Sequence, residues 1–143
     1  MMIYMPHQIM INAPAEKVYK AITTTEGFKG WWTTDAKAEP QVGSIAEFGF
    51  YNRKAIFQMH IDQLEPGKLV VWTAQHDMPG WKGTKIRFDL NVNENGATVV
   101  NFNHSGWESM EGPYAMINTT WGSLMYILKQ YVEGKKPGVW HQG

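Results

Sequence analysis

Hydrophobic and polar positions along the chain follow two periods. At the start, "YMPHQIMI" alternates, with His7, Ile9 and Ile11 on one face, and predicts a strand. "INAPAEKVYKAI" changes period, because Val18, Ala21 and Ile22 form a short stripe at helical spacing. Pro14 suits the first position of that helix, where its missing N–H would be unpaired anyway. Thr24 or Thr25 supplies the cap of a second short helix through "EGFKGWW". After Pro40 the alternation returns. "SIAEFGF" sets Ala46, Phe48 and Phe50 on one face, and "AIFQMHID" sets Phe57, Met59 and Ile61 opposite Gln58, His60 and Asp62. "KIRFDLNVN" separates Ile86, Phe88, Leu90 and Val92 from Lys85, Arg87, Asp89, Asn91 and Asn93. "ATVVNFNHS" places Val100, Phe102 and His104 on its apolar side. "EPG" and "ENG" are turn signals between these runs. The facing of "KLVVWTA" is ambiguous. From about Tyr114 to Glu133 the period is helical again, at Ile117, Trp121, Leu124, Met125, Leu128 and Val132, until Gly134 and Pro137 stop it.

Alternating strands joined by tight turns predict an antiparallel sheet of about six or seven strands with one wet face. The long amphipathic C-terminal helix covers the dry face, with Trp121, Met125 and Leu128 toward the sheet. The fold class is α+β: a strand, two short helices, a run of strands and a closing helix that the curved sheet grips. No repeat or linker divides residues 1–143, so a single domain is expected.

"INAPAEKVYKAITTTEGFKGWW", the "LEPGKLVVWT" hairpin and the terminal "TTWGSLMYILKQYVEG" together resemble the helix-grip superfamily. That superfamily includes the birch-pollen allergen, steroidogenic (START) lipid-transfer domains and polyketide cyclases. The chain looks most similar to the bacterial relatives of the heat-shock ATPase activator's C-terminal domain. Many relatives carry a glycine pair near the second strand, whereas "QVGSIAEF" has only Gly43. The resemblance implies that the two short helices form a V at one end of the sheet. It also implies that an aromatic after the second helix plugs the gap to the long one. Neighbours in an extended segment point opposite ways, so one of Trp31 and Trp32 is expected inside and the other at a rim.

Composition narrows the function. Thirteen basic residues balance thirteen acidic ones, which gives none of the basic footprint of a nucleic-acid binder. There is no cysteine, hence no disulfide or thiolate chemistry, and a cytoplasmic location is expected. No signal peptide or membrane span is apparent. Seven Trp and nine Met suit a dense core or an apolar pocket.

Catalytic motifs are missing: no GxSxG, Walker loop, GxGxxG or HExxH occurs. The histidines, His7, His60, His76, His104 and His141, lack ligand spacing, so no metal or other cofactor is expected. His104 stands out, since a polar group on a dry strand face needs a partner in the protein or in a ligand. Glu108 and Glu111 sit with Trp107 in the loop that leads to the long helix, as solvated residues or as a gate.

The expected site is a cavity between sheet and helix. Its walls are Phe48, Phe57, Met59, Trp72, Trp81, Phe88, Phe102, Trp107, Trp121 and Met125, with His104, Tyr114 and Asn118 as polar contacts. Leu90 is expected to face inward with them. Such a wall suits a small, flat, hydrophobic or aromatic molecule, bound without turnover. A collapsed core with only a vestigial cavity is the competing possibility. Two other functions stay open: a cyclase- or hydratase-like enzyme using His104 and a loop acid, and a chaperone-related module with a protein partner. The sequence leaves the oligomeric state undecided.

Overall fold

The computed structural model describes residues 2–143. Its chain order is β1 (Pro6–Ile11), α1 (Ala15–Ala21), α2 (Thr25–Trp31), β2 (Asp35–Lys37), β3 (Ile45–Phe50), β4 (Ala55–Glu65), β5 (Leu69–Ala74), β6 (Lys85–Val92), β7 (Thr98–Ser105) and α3 (Tyr114–Val132). The strands form one antiparallel sheet in the order β1-β7-β6-β5-β4-β3-β2. Strands β2 to β7 run as a meander, and β1 crosses back to pair with β7, from Pro6 opposite Asn103 to Ile11 opposite Thr98. A β-bulge between Ile61 and Gln63 bends β4, as an extra residue on one strand must.

The alternation read from β3, β6 and β7 matches their burial except at Val92, which was expected inside and is exposed at the end of β6. Ala46, Phe48, Ile86, Phe88, Val100 and Phe102 are buried, while Lys85 and Arg87 are exposed. Thr24 caps α2, its hydroxyl accepting from Gly27 N at 3.0 Å. The facing of β5 was ambiguous in sequence because Leu69, Val70, Val71 and Trp72 are all buried. Trp72 is on the inner face, where its ring meets Phe88 at 5.2 Å. The pattern gave no sign of β2, a three-residue strand beyond β3 at the sheet edge.

Helix α3 is stitched along β1 by polar ties. Tyr114 Oη donates to Tyr4 O at 2.6 Å, and Lys129 Nζ donates to Met10 O at 2.6 Å. Glu133 accepts from Asn12 N at 2.8 Å. Its buried face carries Trp121, Leu124, Met125, Leu128 and Val132. Between helix and sheet the space is filled with rings. Trp32 meets Phe48 at 4.4 Å and Trp121 at 5.4 Å, and Phe102 meets Phe88 at 5.2 Å and Trp121 at 4.5 Å.

Trp31 and Trp32 are both buried, and their rings stack at 5.7 Å and 18°. This corrects the expectation of one inside and one at the rim. The pair is not extended: Trp31 ends α2, and Trp32, its C-cap, is still in the right-handed helical region. Successive helical residues are about 100° apart rather than opposed. Trp31 turns toward α1, its Nε1 donating to Ala21 O at 2.8 Å, and Trp32 enters the core.

Candidate functional site: an apolar pocket at one end of the grip

An apolar pocket of about 220 Å³ opens where the end of α2, β4, the β5–β6 connection and the first half of α3 converge. Trp32, Phe57, Trp81 and Trp121 supply its rings, and Ile117 and Leu124 its aliphatic floor. Met78, Met116 and Trp140 form the lip and are exposed by 37%, 77% and 40%. Thr120 is the only lining residue with a side-chain hydroxyl, and that hydroxyl is taken, donating to Met116 O at 3.0 Å. No ionisable side chain lines the pocket.

Trp140 reaches the lip because the tail is tied down by backbone hydrogen bonds. Trp140 N donates to Trp31 O at 3.1 Å and His141 N to Trp32 O at 2.9 Å. Its ring lies edge-on to Phe50 at 6.0 Å. On the opposite side, the β5–β6 connection presses Trp81 inward, where it meets Phe57 at 5.1 Å, His76 at 5.0 Å and His104 at 4.7 Å.

Of the predicted walls, Phe57, Trp81 and Trp121 line this pocket. Phe48, Met59, Trp72, Phe88, Phe102 and Met125 do not; they are buried in the packed core, which corrects the expected open space between sheet and helix. The reason is volume, since large rings already in mutual contact leave no gap at interior packing density. Trp107 is buried behind Trp81, its Nε1 donating to His104 O at 2.9 Å. Tyr114 has its hydroxyl committed to Tyr4, and Asn118 is half-buried outside the pocket lining. Glu108 and Glu111 are exposed. Sequence reasoning missed Met78, Pro113, Met116, Thr120 and Trp140 as lining residues, and it did not place Trp32, Ile117 or Leu124 in the site. An isolated tryptophan in a Gly- and Pro-containing tail was the available signal for Trp140.

His104 is fully buried, and both ring nitrogens are occupied. Nδ1 accepts from Trp121 Nε1 at 3.1 Å, so Nε2 carries the proton and donates to Thr84 Oγ1 at 2.7 Å. Thr84 in turn donates to Trp81 O at 2.6 Å. Burial, with a smaller contribution from His76, drives the His104 pKa from 6.5 to about 3. A proton on Nδ1 would also oppose the indole N–H. The residue is therefore a neutral cross-link between β7, the β5–β6 connection and α3, with no free lone pair for base catalysis. A second polar cluster, His60, Asp62, Thr73 and Lys85, lies on the opposite, solvent-facing side of the sheet. Among the described residues no group of three or more His, Cys, Asp or Glu is placed to hold a metal ion. No helix among them is long and apolar enough to cross a membrane.

Comparison with known proteins places this geometry among relatives. The model of the family described as "Activator of Hsp90 ATPase homolog 1-like protein" matches residues 12–133. The solution structure of the Aha1 dimer from Colwellia psychrerythraea is 36% identical, with a TM-score of 0.86 over 94% of this chain and 98% of that one. The crystal structure of protein MLL2253 from Mesorhizobium loti is 19% identical, with a TM-score of 0.79 over 92% and 97% of the two chains. CalU16 from Micromonospora echinospora shares the fold at 17% identity and a TM-score of 0.73, over 94% of this chain and 68% of that one. A search of curated protein sequences finds no match.

Proposed function

The chain belongs to the family of Activator of Hsp90 ATPase homolog 1-like proteins, and from that premise we propose that it binds a small, flat, apolar molecule in the pocket beside α3, without turnover. The observation that carries this reading is the lining itself. Five aromatic side chains and two methionines enclose a concavity with no ionisable group. An uncharged ring entering it loses water without stranding a polar partner, and each Å² of apolar surface covered contributes about 25 cal/mol. An engineered apolar cavity of about 150 Å³ takes up benzene, so about 220 Å³ suits one or two rings. Methionines at the lip let the entrance adapt to several shapes. The committed lone pair of His104 argues against the cyclase- or hydratase-like alternative, which would need that imidazole as a base.

The test is titration with naphthalene, followed by the indole N–H resonances. We expect micromolar binding that shifts Trp32, Trp81 and Trp121. In Thr120→Phe, whose new ring would occupy the pocket, affinity should fall at least tenfold with the fold retained. Binding that survives this substitution would place the site elsewhere.

A second reading is favoured by the exposure of Met78, Met116 and Trp140. An apolar side chain from a second copy of this protein would fill the same concavity, and the Colwellia relative is described as a dimer. Sedimentation across a range of protein concentrations, with and without naphthalene, separates the two. Dimerisation that naphthalene dissolves and Met116→Lys abolishes would favour the second reading.

A further inference from the structure

Trp81 is the one buried residue on the tip of the β5–β6 connection, between residues 77 and 83. Asp77, Met78, Pro79, Gly80, Lys82 and Gly83 are all exposed, whereas Trp81 is only 4% exposed. The loop tip is held by local turns: Trp81 N donates to Met78 O at 3.0 Å, and Thr84 N to Trp81 O at 2.9 Å. Gly80 and Gly83 adopt φ of 82° and 87°, the left-handed region open to glycine. Hydrogen bonds from Gly83 N to Ala74 O at 2.9 Å and from Thr84 Oγ1 to Trp81 O at 2.6 Å hold the base of the tip, and the indole itself inserts among Phe57, His76, His104 and Trp107.

That insertion leaves two polar groups unpaired. Trp81 Nε1 is buried and has no hydrogen-bond partner, and neither does Nε2 of His76, which is 4% exposed. The His76 tautomer follows from its neighbour. Nδ1 lies 3.2 Å from Gln58 N and 3.4 Å from Gln58 O; the N–H of Gln58 points at Nδ1 as donor, and with Nδ1 accepting it Nε2 carries the proton. The ring lies flat on Phe57 at 4.5 Å and 7°. Two buried donors without acceptors in one aromatic stack are a rare expense, since nearly all buried polar groups are paired. Three other buried indoles, Trp31, Trp107 and Trp121, each donate to an acceptor. The open volume of about 220 Å³ also falls short of the roughly 300–1,000 Å³ of ordinary ligand sites.

We propose that the Trp81 indole is a built-in placeholder: a planar two- or three-ring molecule bearing an oxygen acceptor displaces it, stacks on Phe57 and His76, and accepts a hydrogen bond from His76 Nε2. This rests on the pocket reading above and adds the ligand's chemical class and the site's full extent. Displacement turns the indole N–H out to water and gives the imidazole N–H a partner, so both unpaired donors are satisfied in one step. The vacated space joins the existing pocket, because Phe57 lines the pocket and packs against the Trp81 ring.

The experiment compares 9-fluorenone with fluorene, the same ring system without the oxygen. Trp81→Ala should bind 9-fluorenone at least tenfold more tightly than the wild type does. His76→Phe keeps the stack on Phe57 but removes the donor, so it should erase a preference of about tenfold for fluorenone over fluorene. If naphthalene binds the wild type but Trp81→Ala leaves fluorenone affinity unchanged or weaker, Trp81 is a fixed wall and the placeholder is refuted with the pocket reading intact. If neither compound nor naphthalene binds any form, both readings fall together. Indole N–H exchange gives a check that needs neither ligand nor variant. Trp81 should exchange with solvent deuterium at least tenfold faster than Trp31, Trp107 and Trp121. Equal protection would overturn the proposal.

Discussion

A single histidine shows how burial converts a reactive group into a fastener. On sequence, His104 was the best candidate for chemistry because it sat on a dry strand face. The same observation, taken with its neighbours, removes it from chemistry: Trp121 and Thr84 occupy both nitrogens. The pH consequence has a definite sign. The folded pKa of His104 is depressed to about 3 from 6.5, so between these values the unfolded chain binds the extra proton. Stability is therefore full above about pH 6.5 and falls as pH drops, by about 2 kcal/mol at pH 5 for a shift of this size. His76, lowered chiefly by burial, acts in the same direction. Asp62 and Glu133 are held below their ordinary values of 3.8 and 4.5, so their contribution is lost mainly at lower pH. Urea unfolding between pH 7.5 and 5 should show this loss in the wild type and a flatter profile in His104→Gln, which itself is less stable at neutral pH. A wild-type midpoint that stays constant down to pH 5 would contradict the neutral, buried imidazole.

At the scale of elements, α2 packs through two glycines with different neighbours, Gly27 against α1 and Gly30 against α3. A Cβ on Gly27 would lie 2.6 Å from Lys20 O and 2.7 Å from Ala21 Cα, both backbone of α1. A Cβ on Gly30 would collide with the ring of Tyr131, a half-buried side chain rather than main chain. Helix propensity alone favours alanine over glycine by about 1 kcal/mol. Against it, overpacking costs about 1–3 kcal/mol and cannot relax when the obstacle is main chain. Gly27→Ala should therefore be clearly destabilising in thermal unfolding, by the larger share of that range, and Gly30→Ala close to neutral. The reverse order would mean that α1 and α2 separate more readily than their contact suggests. The elements that were legible are those whose pattern is repeated over several residues. The alternation of β6 and the stripe of α3 carry enough positions to fix both type and facing. Strand β2 has three residues, too few to express a period, and its place at the edge depends on pairing with β3. The inward turn of both Trp31 and Trp32 was hidden for a related reason. Whether two neighbours diverge by about 100° or by about 180° depends on where the helix stops, and a boundary is poorly marked in sequence.

The whole molecule decides what the sequence could not, which is where the space is. Aromatic and methionine richness pointed correctly to an apolar interior, but composition does not say whether rings close a gap or border one. The pocket is assembled by Trp32 after α2, Phe57 on β4, Trp81 in a loop, Trp121 on α3 and Trp140 in the tail. It therefore exists only when the entire chain is folded, and a ligand that occupies it must stabilise the fold globally. With binding to the native state alone, ligand at 100 times its Kd contributes about 2.7 kcal/mol. For 143 residues the unfolding entropy is about 0.3 kcal/mol per degree. Naphthalene at that excess should raise Tm by roughly 9 °C. Because no ionisable side chain lines the pocket, the shift should be nearly the same at 0.05 and 0.5 M salt (approximate concentrations), where surface charges are strongly and weakly felt in turn. Thr120→Phe should keep a Tm within a few degrees of the wild type yet lose most of the ligand-induced rise. A rise that persists in that variant would assign the ligand to another surface, and a rise that vanished at high salt would assign it to a charged one.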